Sequence, residues 1–136
     1  MFIENVESLR KFAAEFAKTL KAPRCIALYG DLGAGKTEFA RSVIQELRGK
    51  DTIVPSPTFT IVQDYNGISH FDLYRIKSVY ELEEIGLNDA ILKNITMIEW
   101  PEIAENFLPK DTIRIHLSVS GSGREIEIEN PLLAVH

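Results

Sequence analysis

Residues 24–37 read Arg24-Cys25-Ile26-Ala27-Leu28-Tyr29-Gly30-Asp31-Leu32-Gly33-Ala34-Gly35-Lys36-Thr37. The apolar run up to Tyr29 is short and flanked by turn formers, which predicts a strand buried on both faces. Gly30 to Thr37 then matches G-x-x-x-x-G-K-[ST] in full. Each position has a chemical reason: glycines let backbone N–H groups converge on phosphate oxygens, Lys36 reaches the terminal phosphates, and Thr37 supplies a hydroxyl to magnesium. Predicted nucleotide contacts therefore run through Asp31, Leu32, Gly33, Ala34, Gly35, Lys36, Thr37 and Glu38. Beyond Lys36, the residues Phe39, Ala40, Val43, Ile44 and Leu47 recur at helical spacing and stop before Gly49. Strand, glycine loop and helix in that order are the setting this motif requires.

Upstream, Val6, Leu9, Phe12, Ala13, Phe16, Ala17 and Leu20 form one helical stripe that Pro23 ends. Downstream, Pro55-Ser56-Pro57 forces an irregular segment. Phe59 to Tyr65 then reads as a strand, Asn66-Gly67 as a hairpin turn and Ile68 to Leu73 as its return. Val79, Leu82 and Ile85 mark a helical patch stopped by Gly86, and Ile95 to Ile98 is another short apolar strand. Alternation at Ile113, Ile115, Leu117 and Val119, a turn at Gly121-Ser122-Gly123, and then Ile126 and Ile128 predict an antiparallel hairpin with one covered face. The tail from Asn130 to His136 is expected to fray.

A triphosphate site needs a second group for its metal, usually an acid ending a neighbouring hydrophobic strand. Two residues qualify, Glu99 after Ile98 and Asp72 in His70-Phe71-Asp72-Leu73. Glu99 suits the strand-end geometry better, which makes Thr37 and Glu99 the predicted metal pair, with Asp72 and Glu99 the candidates for orienting water. His70 and Asp72 stand two apart on one strand face, yet no third ligand has useful spacing, so His70 reads as structural. Trp100 beside Glu99 is a candidate wall of the site. Ser56-Pro57-Thr58 is a hydroxyl-rich, proline-stiffened loop of the kind that senses a terminal phosphate, with Thr58 its candidate. The Asn-Lys-x-Asp element of guanine readers is absent, which favours ATP.

The chain has 136 residues, 45% hydrophobic and 26% charged, which fits one domain of ordinary globular composition. A net charge of -5 and a pI near 5.2 remove the electrostatic reason to expect tight, direct binding to RNA or DNA. Cys25 has no internal partner and sits in an apolar run, as a small buried residue would. The opening Met1 to Asn5 lacks a basic patch with an apolar signal core, and no apolar run reaches membrane-spanning length, so a cytoplasmic protein is expected.

Five blocks occur in a fixed order: the glycine loop, Ser56-Pro57-Thr58-Phe59-Thr60, His70-Phe71-Asp72-Leu73-Tyr74-Arg75, Glu84-Ile85-Gly86-Leu87 and Ile98-Glu99-Trp100-Pro101. With them the chain resembles the TsaE (YjeE) family over nearly its whole length. The resemblance implies a bacterial ATPase that works with TsaD and TsaB to form threonylcarbamoyladenosine beside the anticodon of tRNAs reading ANN codons. It places Lys36 and Thr37 on the triphosphate and its magnesium (Mg2+), Glu99 on the metal, Asp72 in hydrolysis, Thr58 in a switch-like loop and Arg124 at the nucleotide. Glu38, where the family commonly has Thr, and a short C-terminal end are departures. The expected fold is α/β, a P-loop NTPase-like three-layer sandwich whose mostly parallel sheet gains an antiparallel hairpin from Thr112 to Glu129. The isolated chain, residues 1–136 as one domain, is expected to be a monomer that meets tRNA only through its partners. Two rivals remain at this point, a small-molecule kinase and a module in which ATP only shapes a protein-binding surface.

Overall fold

The computed structural model describes residues 1–55 and 61–131. Its elements are β1 (Phe2–Ile3), α1 (Val6–Ala17), β2 (Arg24–Tyr29), α2 (Lys36–Arg48), β3 (Val62–Asp64), β4 (Ile68–Asp72), α3 (Val79–Glu84), α4 (Leu87–Lys93), β5 (Ile95–Glu99), a 3-10 helix (Pro101–Phe107), β6 (Ile113–Ser120) and β7 (Gly123–Glu129). Among the described residues these strands make one seven-stranded sheet in the order β1-β7-β6-β2-β5-β4-β3. The middle strands β6, β2, β5 and β4 are parallel, and antiparallel pairs add β3 at one edge and β7 with β1 at the other.

Burial follows from that order. β2 has neighbours on both sides and helices over both faces, so its interior residues are all buried, which is why its sequence is a continuous apolar run and not an alternating one. Ile26 and Leu28 face α1 and α2 with Phe39, Val43 and Ile44, while Cys25 joins Phe71, Leu82, Leu87, Ile98 and Ala104 on the opposite face. Burial also pushes the Cys25 thiol up to about 12, so it stays protonated and packs as an apolar group. Each fully buried Leu, Ile or Phe contributes roughly 1.5–3 kcal/mol, and the two layers supply the three-layer sandwich expected from the sequence.

Local signals set the element ends. Asn5 caps α1 by accepting from the Ser8 amide at 2.9 Å, and Ser78 with Glu81 forms a capping box at α3. Asn66 and Gly67 both have positive φ, 51° and 93°, the pattern of the tight turn their sequence predicts between β3 and β4. The antiparallel C-terminal hairpin expected from Thr112 to Glu129 is present as β6 and β7. β6 pairs in parallel with β2 along Ile26↔Ile113 to Tyr29↔His116, so it lies in the central sheet. β1, α4 and the 3-10 helix carried too few periodic residues to be read from sequence. Of the expected strand Phe59 to Tyr65, residues 59 and 60 lie outside the described residues.

Candidate functional site

The parallel strands end together. Leu28 stands opposite Glu99, and Glu99 opposite Asp72, so the start of the glycine loop and both candidate acids emerge at one edge of the sheet. Gly30 turns the chain out of β2 with φ 150°, and a Cβ there would meet the Leu117 carbonyl oxygen of β6 at 2.4 Å. Gly35 has φ 106° as the N-cap of α2 and leaves the first-turn amides of that helix without a side-chain cap. The helix end therefore faces the loop as a positive terminus.

Lys36, at the start of α2, is 5% exposed, and its ammonium donates to the Gly30 carbonyl. It also lies 3.3 Å from the centre of the Trp100 ring. Neither partner is an anion, and burial lowers the Lys36 pKa from its ordinary value against the pull of Glu99, Glu102, Asp72 and Asp31. Trp100 reaches this position because its own backbone is left-handed, φ 56° and ψ 57°, a strained conformation for a side-chain-bearing residue. Tyr74 packs against Trp100, its ring centroid 4.8 Å from that of the indole and tilted by 54°.

Thr37 donates its hydroxyl to Glu99 Oε1 at 2.8 Å, and His70 Nε2 lies 2.6 Å from Glu99 Oε2. The fit of a magnesium ion can be tested on that first distance. Octahedral magnesium holds oxygen ligands at about 2.1 Å, which spaces adjacent ligands about 3 Å apart. Thr37 and Glu99 thus already present two hard oxygens at the separation of neighbouring magnesium ligands, and the buried cation beside them makes no ion pair among the described residues. The donor set fits a magnesium triphosphate. Asp72 is 7% exposed and accepts from the Tyr74 amide at 2.9 Å. Its carboxyl is raised above the usual range, chiefly by burial and further by the Glu99 charge, while the Tyr74 amide and Lys36 oppose the shift.

These groups line a cleft of about 440 Å³ formed by Leu32, Gly33, Gly35, Lys36, Thr37, Glu38, Asp72, Tyr74, Arg75, Glu99 and Trp100. Asp31 and Ala34 complete the loop, with Ala34 buried beneath it. Glu38, the departure noted above, is held by Arg10 at 2.6 Å and Arg41 at 2.7 Å, so its charge is matched and ties α1 to α2. Arg124 donates to the Gly33 carbonyl at 3.0 Å from behind the loop. It lines a second cleft of about 380 Å³ with Ile3, Asn5, Val6, Leu9, Ser122 and Gly123, and this cleft shares Gly35 and Glu38 with the first. Thr58 lies outside the described residues. The sequence reading missed the second cleft, since only the pairing of β1 with β7 brings Asn5 to Arg124. It also left Tyr74 and Arg75 without a role, and the His70 that it read as structural lies fully buried on β4.

A family model described as threonylcarbamoyl adenosine biosynthesis protein TsaE matches residues 3–126. The tRNA threonylcarbamoyladenosine biosynthesis protein TsaE of Rickettsia bellii (strain RML369-C) is 42% identical over 121 residues, covering 86% of this chain and 84% of that protein. The protein of the same description from Bacillus subtilis (strain 168) is 36% identical over 129 residues, covering 90% and 78%. The crystal structure of Bacillus subtilis YdiB matches this fold with a TM-score of 0.79 at 28% identity, covering 96% of this chain and 83% of that one.

Proposed function

Because this chain belongs to the TsaE family of threonylcarbamoyl adenosine biosynthesis proteins, we propose that it binds ATP with magnesium on the loop Gly30 to Thr37 and hydrolyses it slowly until partners complete the site. Its place is tRNA threonylcarbamoyladenosine biosynthesis. In this reading TsaD and TsaB equivalents in the cytoplasm hold the tRNA, and the product is the modified adenosine beside the anticodon of tRNAs reading ANN codons. The observation that carries the nucleotide assignment is the 2.8 Å contact of Thr37 with Glu99 beside a buried ammonium that makes no ion pair among the described residues.

Lys36 leaves the Gly30 carbonyl and the Trp100 ring to pair with the terminal phosphates, a charge-assisted exchange that the buried position strengthens. Thr37 and Glu99 hold the metal through the oxygens that now bond each other. When bound, magnesium neutralises charge on the phosphate oxygens. Asp72 faces the same cleft with a carboxyl that burial raises above its ordinary value, which suits a group that orients an attacking water and accepts its proton. The base and ribose fit the second cleft, where Asn5, Ser122 and Arg124 provide polar edges among Ile3, Val6 and Leu9.

Calorimetric titration tests the assignment. ATP is expected to bind more tightly with magnesium than without, and more tightly than GTP. Lys36→Met, which keeps the packing on Trp100, is expected to weaken binding by about 10²-fold, the loss of one or two charged hydrogen bonds. Unchanged affinity in a folded Lys36→Met protein refutes the phosphate role of the loop.

A further inference from the structure

His70 does more than fill space under the sheet edge. It lies on β4 opposite Met97, and the next residue of β5 on that same face is Glu99, so the sheet register itself sets the two side chains on a diagonal. The ring is fully buried, its Nε2 is 2.6 Å from Glu99 Oε2, and its Nδ1 has no partner among the described residues. A carboxylate only accepts, so this contact calls for a ring proton on Nε2 that is donated to Glu99. A residue kept only for packing would be served better by an apolar side chain of similar volume, since a buried imidazole with one nitrogen unsatisfied is a cost. The carboxylate it meets is the one whose other oxygen, Oε1, accepts from Thr37.

We propose that His70 is a positioning residue: it pins Oε2 of Glu99 and thereby turns Oε1 toward Thr37 and the metal. This rests on the magnesium nucleotide reading above. Glu99 has three rotatable side-chain bonds, and a metal recruits an oxygen that is already aimed more readily than one that must be ordered on binding. His70 touches neither the phosphates nor the ion in this arrangement. Its effect should therefore appear in metal affinity and not in nucleotide affinity measured without metal.

The test uses the whole chain and two substitutions. His70→Leu removes the donor and keeps an apolar volume, whereas His70→Gln keeps an N–H at a comparable reach. For each, magnesium is titrated into protein saturated with a non-hydrolysable ATP analogue, and analogue binding is measured separately in excess chelator. His70→Leu is expected to raise the half-saturating magnesium concentration about 10- to 100-fold. It should change chelator-phase affinity less than about twofold, the level of surface substitutions. His70→Gln is expected to recover most of the metal affinity. In the unsubstituted protein, nitrogen NMR of the imidazole is expected to show a proton on Nε2, a reading that holds even if a variant fails to fold. A folded His70→Leu protein with parental magnesium affinity overturns the proposal, as does an equal loss with and without metal, a His70→Gln protein no better than His70→Leu, or a proton found on Nδ1 alone. If magnesium has no effect on analogue binding in the unsubstituted protein, the nucleotide reading falls first and this inference falls with it.

Discussion

Lys36 holds the Gly30 carbonyl and the face of Trp100 at once, so a triphosphate must draw it from both. The Trp100 ring then loses a cation 3.3 Å from its centre, and its emission should change on addition of magnesium ATP. Constant emission at saturating nucleotide would separate Lys36 from the phosphates. Asp72 supports a second expectation, in which stability and activity move in opposite directions. Burial makes its carboxyl hold a proton to higher pH in the folded chain than in the unfolded one. Between those two values the folded state binds more protons, so stability falls as pH rises through the window and remains lower above it. Below the unfolded value both states are protonated and the penalty disappears. Asp72→Asn keeps an oxygen for the Tyr74 amide and removes the charge. It is expected to melt at a higher temperature than the parent at neutral pH, with the gain shrinking toward about pH 3, below the usual range of an Asp carboxyl. Phosphate release should fall by about 10²-fold or more in the same protein. A melting temperature at or below the parent's at neutral pH would show that Asp72 is not penalised by burial.

The glycine loop depends on a strand far away in the chain. A methyl on Gly30 would stand 2.4 Å from the Leu117 oxygen, whereas one on Gly33 meets nothing within 4 Å although its φ is 81°. Gly33→Ala therefore measures backbone strain alone, and Gly30→Ala adds a collision with β6. Denaturant unfolding is expected to show Gly30→Ala destabilised by about 2 kcal/mol or more, and Gly33→Ala by about half of that. Equal losses would mean that β6 does not brace the loop. The turns were easier to read than this brace. Asn66, Gly67 and Gly121 announce themselves because only a few residues accept positive φ. The two-residue strand β1 carries no periodicity of its own and exists because Phe2 and Ile3 pair with Glu125 and Arg124.

At the scale of the molecule, the cleft stands open. Leu32 at the loop tip is 75% exposed and Tyr74 57%, both lining the cleft, so apolar surface rims the place where water must be excluded for efficient transfer. A partner surface over that rim would close the site and could add a charge in trans. Phosphate release by the chain alone is expected to be very slow and to rise by about 10³ to 10⁵ with TsaD and TsaB equivalents together, the range a trans-acting group supplies in P-loop proteins. Each partner is tested singly and then in combination. A full rate from the chain alone, or no response to partners, refutes assembly-dependent hydrolysis and favours a small-molecule kinase.

The sequence by itself determined the strand, loop and helix that present Gly30 to Thr37, because those depend on local apolar periodicity, glycine conformations and a motif whose every position has a chemical duty. It also singled out Glu99 and Asp72, since an acid ending a short apolar strand is visible in one dimension. It could not decide how those acids are connected. The diagonal from His70 to Glu99 and the bond from Thr37 to Glu99 exist only after β4, β5 and β2 are set in register. The same holds for Arg124 behind Gly33, which needs a hairpin whose first strand lies in the central sheet. Local pattern reports which face of an element is apolar, but strand order and register come from packing between segments distant in the chain, and the partners of a buried polar atom are settled only there.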